Sequence, residues 1–247
     1  MSVVTEPPPR PVDVPGWTRA GPVRQLRAFL QALVVFPIMA VLSPITAKGR
    51  EQVCDMKRPA IFVSNHSSAL DAVVMLQAIP ARFRHRCYVV AAADSIYKRK
   101  WESTLTQLLI NTFPIPRAGG ARPALERLKE HLKNKWSVII FPEGRLSATG
   151  NIGTFKKGAA ILAVDSRVPI VPAYVEGTYE VLPRFRRLPH RHPASIVFGD
   201  ALTAEPGEDY DRFIARVEQA VRRLAGPKGE LRDTPSSSQA EGSNYWY

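Results

Sequence analysis

Cysteine is scarce in this sequence, and the scarcity excludes two classes of small protein. Among 247 residues only Cys54 and Cys87 occur, with neither a CxxC spacing nor a neighbouring histidine tract. A disulfide framework and a structural zinc site each need several ligands at short spacings. We therefore expect two buried or free thiols in a reducing cytosol.

Acidic residues are also few. Asp and Glu number 22 against 34 Lys and Arg, which leaves a net charge of +12. Such a surplus attracts anions, and composition alone allows a nucleic acid, a membrane surface or a phosphorylated substrate. Nucleic-acid binding would need basic residues interleaved with stacking aromatic residues, and the sequence contains no such module. We expect no nucleic-acid partner.

The sequence has no secretory signal pattern, and no apolar run in it is clearly longer than the minimum for crossing a membrane. Residues 1–18 are rich in proline and predict a flexible arm. The longest apolar stretch, residues 29–45, lies at the lower limit of length for crossing a hydrocarbon core of about 30 Å. It contains Pro37, which predicts a bend or break in the helix.

Three arginines, Arg19, Arg24 and Arg27, precede this stretch. A cationic flank of this kind is typical of an apolar helix whose basic end rests on anionic headgroups. We predict a membrane-associating helical segment over residues 19–48 and a protein on the cytoplasmic face of the cell membrane, peripheral or monotopic. A true span and a buried soluble helix are the alternatives.

From residue 59 onward, short β-branched runs alternate with helical patterns, which is typical of an α/β fold with a mostly parallel central sheet flanked by helices. We assign residues 49–226 to one catalytic domain and residues 227–247 to a disordered tail. The predicted strands are residues 60–65, 87–93, 137–144, 169–177 and 194–199. The predicted helices include residues 67–79, a stretch that opens near Pro123, and residues 210–224.

The segment NHSSALD contains several side chains that could take part in catalysis. It lies where the first predicted strand ends and a helix begins. Ligand-binding groups in open α/β sheets collect at the carboxyl ends of strands, and His66 follows such an end. Asp71, about one turn into the helix, can reach back to the imidazole and favour its charged form. This pair predicts a general base. The alternative is a helix cap or a surface histidine. No metal-ligand spacing is present.

Four blocks, in this order, give the sequence a family resemblance. NHSSALD is followed by FPIPR, which ends in Arg117, then by FPEG at residues 141–144, then by VPIVPAYVEG at residues 168–177. Together they resemble the four motifs of the glycerolipid acyltransferases. The resemblance implies a glycerol-3-phosphate acyltransferase-like fold, His66 and Asp71 as catalytic residues, and acyl-CoA or acyl carrier protein as co-substrate without a cofactor or metal.

The leading acceptor that the resemblance implies is 1-acylglycerol-3-phosphate, which would give phosphatidic acid. Another lysophospholipid, glycerol-3-phosphate and a glycolipid are the alternatives within the family. A thioesterase or lipid hydrolase using Ser67 or Ser68 is the alternative of a different class, although no Gly-x-Ser-x-Gly elbow is present. The sequence leaves the oligomeric state open.

Substrate-binding roles follow for five further residues. The resemblance implies that Arg117 binds the acceptor phosphate, for which its planar fork is suited. Glu143 would hold an acceptor hydroxyl, and Gly144 would let the backbone approach closely. Arg145 stands one place earlier than the arginine common in the family. Lys156 opens a further helix where cations and free amides could meet an anion, with a solvated basic turn as the alternative.

A last basic cluster lies in RFRRLPHRH, where four arginines fall between residues 184 and 191. Acidic headgroups, the phosphates of coenzyme A and an acidic carrier protein would all attract it. A surface loop without a dedicated partner is the alternative.

Overall fold

A seven-stranded sheet forms the centre of the protein in a computed structural model of the chain. The structure describes residues 14–57, 59–93, 100–116, 121–186 and 188–231. The strands are β1 (Ile45–Lys48), β2 (Ile61–Ser64), β3 (Cys87–Ala92), β4 (Thr112–Ile115), β5 (Ser137–Ile140), β6 (Ile170–Glu176) and β7 (Ala194–Phe198).

The strand order is β1-β7-β6-β2-β5-β3-β4. From β6 to β4 every neighbouring pair is parallel. The pair β1 and β7 is parallel within itself, but β7 runs antiparallel to β6. The predicted α/β fold with a mostly parallel sheet is therefore confirmed, and β2 lies at its centre.

Helices cover both faces of this sheet. The helices described are α1 (Gly21–Leu30), α2 (Phe36–Leu42), α3 (Arg50–Asp55), α4 (Asp71–Ala78), α5 (Ala81–Arg84), α6 (Lys100–Ile110), α7 (Ala121–Lys133), α8 (Gly158–Ser166), α9 (Thr178–Val181) and α10 (Tyr210–Leu224). Short 3-10 helices lie at Gly16–Arg19 and Gly226–Glu230.

The side chains of β2 alternate between two hydrophobic clusters. Ile61 and Val63 belong to the cluster under α7, α8 and α10, and Phe62 belongs to the cluster that includes α4 and Met39 of α2. All four residues of β2 are buried. A strand buried on both faces is expected at the centre of a parallel sheet. Both cysteines are free, and burial raises the pKa of the Cys87 thiol.

The predicted apolar segment is a continuous helix of 22 residues, Gly21–Leu42, in which α1 and α2 are joined by a π turn at Gln31–Val35. Among the described residues, it is the one helix long and apolar enough to cross a membrane. Of its most apolar 18-residue window, only 17% is buried inside the protein. The expected break at Pro37 takes the form of this π turn, which accommodates a residue without an amide proton.

The cationic flank of this helix differs from the prediction. Arg27 is only 4% exposed, and its guanidinium donates to the carbonyls of Thr18, Gln107 and Leu108 at 2.9–3.1 Å. Gln31 donates to the carbonyl of Leu109 at 2.7 Å. The Leu108 and Leu109 carbonyls lie in the last turn of α6, where a helix leaves carbonyls without partners of its own. Arg27 therefore holds α1 against the domain and does not meet headgroups.

The segment boundaries also differ from those expected. Residues 45–48 are strand β1 rather than part of the apolar helix, because they pair with β7. Val14, within the predicted arm, is buried in the core. Gly226–Glu230, within the predicted tail, is a 3-10 helix, and Arg222 donates to the carbonyl of Gly229 at 2.9 Å. Residues 1–13 and 232–247 lie outside the described part of the chain.

Candidate active site

Three adjacent strands bring separate sequence blocks to one edge of the sheet. β2 leads into NHSSALD, β5 into FPEG, and β6 into Gly177 and Thr178. Because β5, β2 and β6 are parallel neighbours, their carboxyl ends meet at the same edge. His66, Glu143 and Thr178, which are far apart in the sequence, are thereby brought together.

Asp71 reaches back to His66 across a turn. Helix α4 begins at Asp71, four residues later than expected, and residues 67–70 form the turn that precedes it. The Asp71 Oδ2 atom lies 3.0 Å from His66 Nδ1 and accepts the amide protons of Ser67 at 2.7 Å and Ser68 at 2.8 Å. Asp71 is fully buried. Several donors around a buried carboxylate fix it in one orientation.

The second oxygen of Asp71 has a partner that the sequence analysis missed. The Thr178 hydroxyl donates to Asp71 Oδ1, and its oxygen lies 3.1 Å from Ser67 Oγ. Thr178 follows Gly177, whose φ of +88° suits glycine and where a Cβ would lie 2.1 Å from the Pro193 carbonyl oxygen. The sequence signal was a polar residue directly after a strand end. Because Thr178 lies more than a hundred residues from Asp71 in the sequence, this contact was not predicted.

The His66 ring lies flat on Phe141, with ring centroids 4.1 Å apart and an interplanar angle of 16°. Its side chain is 20% exposed. Because Nδ1 faces Asp71, the nitrogen left for a substrate is Nε2, and no described residue hydrogen bonds to it. A neutral ring with the proton on Nδ1 has a lone pair on Nε2, as a general base needs.

Glu143 binds the backbone of His66. It is only 4% exposed, and its Oε1 accepts the His66 amide proton at 2.9 Å. Ser147, further along the same segment, donates its amide proton to the His66 carbonyl at 2.7 Å. Both backbone polar groups of His66 are thus fixed by the chain that follows β5. Gly144 has a φ of +72°, so the turn itself favours glycine at this position.

Of the other three predicted binding residues, two lie in the part of the chain that the structure describes. Arg145 directly follows Gly144 in this turn, and the Lys156 amide donates to the Pro142 carbonyl at 2.9 Å, so both belong to the same edge. Arg117 lies outside the described residues. The strand that precedes it, β4, ends at this edge but stands three strands away from β2.

The serines beside His66 have other partners. Ser67 Oγ lies 3.1 Å from the Thr178 hydroxyl, and Ser68 Oγ donates to the Leu182 carbonyl at 2.8 Å. Both serines are buried. This arrangement does not resemble a serine nucleophile paired with its base, which needs a direct hydrogen bond between the two side chains.

No group of three His, Cys, Asp or Glu side chains that could hold a metal ion occurs in the part of the chain that the structure describes. What the site offers is therefore a buried carboxylate, an oriented imidazole with one outward nitrogen, and basic residues in the neighbouring turn. These groups can remove a proton from a bound hydroxyl.

The protein is an α/β protein with a His–Asp pair at the carboxyl end of the central strand of its sheet. Comparison with known proteins gives its family. Residues 44–176 match the acyltransferase family model, so the chain belongs to the acyltransferase family and is an O-acyltransferase. His66, Asp71 and Glu143 lie inside this match.

Relatives with this architecture are 1-acyl-sn-glycerol-3-phosphate acyltransferases. The chain is 31% identical over 209 residues to the protein of that name from Limnanthes douglasii, covering 79% of this chain and 68% of the relative. It is 34% identical over 118 residues to the human beta protein, covering 47% and 40%. The crystal structure of PlsC from Thermotoga maritima matches with a TM-score of 0.63 at 22% identity, covering 83% and 77% of the two chains, and shows the shared fold.

Proposed function

We propose that this protein transfers a fatty acyl group from acyl-CoA or acyl carrier protein to the free hydroxyl of 1-acylglycerol-3-phosphate, giving phosphatidic acid for phospholipid biosynthesis. The names of its relatives support the acceptor. The observation that carries the chemistry is the His66 Nδ1–Asp71 Oδ2 contact of 3.0 Å, which leaves Nε2 facing outward.

His66 acts as the general base in this proposal. Its Nε2 takes the proton of the acceptor hydroxyl while the hydroxyl oxygen attacks the thioester carbonyl carbon. The carbon–sulfur bond then breaks, the thiolate leaves, and His66 returns the proton to the sulfur. Asp71 stabilises the imidazolium between these two steps. A positioned base of this kind contributes about 10²–10⁴ in rate.

Basic residues around this edge of the sheet bind the acceptor phosphate. Arg117 is assigned this role by the family motif that it closes, and Arg145 and Lys156 add positive charge beside the Pro142–Gly144 turn. Glu143 is a positioning residue, because its Oε1 accepts the His66 amide proton. The family resemblance also assigns Glu143 a contact with an acceptor hydroxyl. The reaction needs no cofactor or metal in this proposal.

The protein works at the cytoplasmic face of the cell membrane as a peripheral or monotopic enzyme. The exposed apolar side chains of the N-terminal helix support membrane association. The helix has 22 residues, a length within the range that a span needs. Its first half, however, is bound to α6 through Arg27 and Gln31. A helix held in this way suits an interfacial position better than a span.

An acceptor panel with labelled palmitoyl-CoA and oleoyl-CoA tests the proposal. We expect transfer to 1-acylglycerol-3-phosphate above glycerol-3-phosphate, other lysophospholipids and glycolipids. His66→Ala should abolish transfer while leaving thermal unfolding unchanged. Transfer by His66→Ala at the wild-type rate would refute the mechanism.

Arg117→Ala tests the phosphate assignment separately. It should mainly raise KM for phosphorylated acceptors, with Arg122→Ala on α7 as a control that removes the same charge elsewhere. An equal loss with phosphorylated and uncharged acceptors would refute the assignment. Thioester hydrolysis without acceptor, if faster than transfer with it, would favour the hydrolase instead.

A further inference from the structure

The loop between α9 and β7 combines exposed apolar and basic side chains in one short segment. Phe185 is 66% exposed and Leu188 is 76% exposed, so two large apolar side chains face solvent within four residues of one another. Arg184, Arg186 and Arg191 lie beside them and are exposed as well. The catalytic mechanism uses none of these residues.

The charges of this loop are not balanced within the protein. Between residues 181 and 199 the sequence contains no Asp or Glu. Among the described residues, Arg184, Arg186 and Arg191 form no ion pair, although the Arg184 guanidinium lies over the Phe185 ring at 5.5 Å. Apolar side chains interleaved with unpaired arginines are typical of a surface that enters the headgroup region of an anionic membrane.

The base of the loop is fixed to the end of the apolar helix. The His192 amide donates to the carbonyl of Leu42, the last residue of α2, at 3.1 Å. Val41, next to it, is 66% exposed. The loop is therefore continuous with the exposed apolar side chains of the N-terminal helix, among them Leu33 and Ile38.

The other end of the loop contacts the active-site turn. Ser68 Oγ donates to the Leu182 carbonyl at 2.8 Å, and Ser68 forms an isolated bridge with Pro183. Ser68 lies two residues after His66. The loop thus joins the end of the N-terminal helix to the turn that carries the His–Asp pair.

We infer that residues 183–186 and 188–191 form a second membrane contact, in which Phe185 and Leu188 enter the interface of an anionic bilayer while Arg184, Arg186 and Arg191 bind lipid phosphates. The loop and the N-terminal helix together hold the His66 turn at the level of the headgroups. This inference concerns binding and does not depend on the acyl-transfer chemistry, so His66→Ala should bind vesicles as the wild type does.

Flotation of the full chain with vesicles tests this contact. The vesicles contain phosphatidylcholine alone or phosphatidylcholine with phosphatidylglycerol. The variant Arg184→Gln/Arg186→Gln/Arg191→Gln should lower the partition coefficient on the anionic vesicles by about 100-fold, since each arginine near such a surface contributes about fivefold. On neutral vesicles it should change little. Phe185→Ser/Leu188→Ser should lower partitioning on both kinds by about 10-fold or more.

A charge-matched control is available on the opposite face of the sheet. Arg122→Gln/Arg212→Gln/Arg223→Gln removes three exposed charges from α7 and α10 and should lower binding far less. Circular dichroism and thermal melting check that each variant folds. Equal losses in the two charge variants would overturn the inference. So would unchanged vesicle binding in the loop variants, whether or not their affinity for an acidic acyl carrier protein falls.

Discussion

Replacing Asp71 by Asn removes the charge beside His66 while keeping most of the shape of the site. Asp71 Oδ2 accepts from His66, Ser67 and Ser68, and an Asn oxygen in its place has two lone pairs, which serve two of these donors and leave the third bond weakened. The Asn nitrogen would face Thr178, whose hydroxyl can rotate to accept. The turn should therefore survive in Asp71→Asn, and the main loss is the attraction between the carboxylate and the imidazolium that forms during the reaction.

The size of this loss follows from the 3.0 Å contact. Two unit charges at that separation attract by about 5.5 kcal/mol at an effective dielectric constant of about 20, a value suited to partly buried pairs. That energy corresponds to about 10⁴ in rate, and the hydrogen bond retained by Asn reduces it. We expect kcat/KM to fall by about 10²–10⁴.

The assay is acyl transfer measured in wild type, Asp71→Asn, His66→Ala and the double variant, with thermal melting as the control for folding. Because Asp71 acts through His66, its replacement should have almost no effect once His66 is alanine. A loss of less than about fivefold in a folded Asp71→Asn protein would refute the electrostatic reasoning. A second full loss in the His66→Ala background would refute the coupling.

Substitutions at three further residues, two beside this pair and one in the N-terminal helix, give additional tests. Thr178→Val should lower kcat by about 10- to 100-fold, because Asp71 loses a charged hydrogen bond, whereas Thr178→Ser should restore both kcat and the shape of the pH–rate profile. Glu143→Gln keeps an acceptor for the His66 amide and should retain more activity than Glu143→Leu, whose unfolding midpoint in urea should also fall. Arg27→Met should destabilise the fold by about 2–4 kcal/mol in urea without changing the salt dependence of vesicle binding, since Arg27 is buried.

The parts of the fold that follow from local patterns were predictable from the sequence. Strand β3 ends within a residue of its expected bound, and α10 coincides with residues 210–224. Helix α4 begins later than expected because Asp71 uses its carboxylate to bind the amides of Ser67 and Ser68. Those residues form a turn rather than the first turn of the helix.

The parts that depend on contacts between distant segments were not predictable. Thr178 could not be paired with Asp71 without the order of β2 and β6 in the sheet. Glu143 was expected to face the substrate, and its bond to the His66 backbone depends on the order of β2 and β5. Arg27 looked like a membrane flank because its sequence neighbours are basic, whereas the carbonyls that bind it lie about eighty residues away.

The attachment of the N-terminal helix explains how membrane binding can orient the reaction. In the first half of the helix, Arg27 and Gln31 donate to carbonyls in the last turn of α6, and at its carboxyl end the Leu42 carbonyl accepts the His192 amide proton. A helix held at these two places cannot turn independently of the sheet, so a membrane that receives its exposed face also fixes the direction of the carboxyl edge. An acceptor whose acyl chain stays in the bilayer then needs to present only its headgroup to His66.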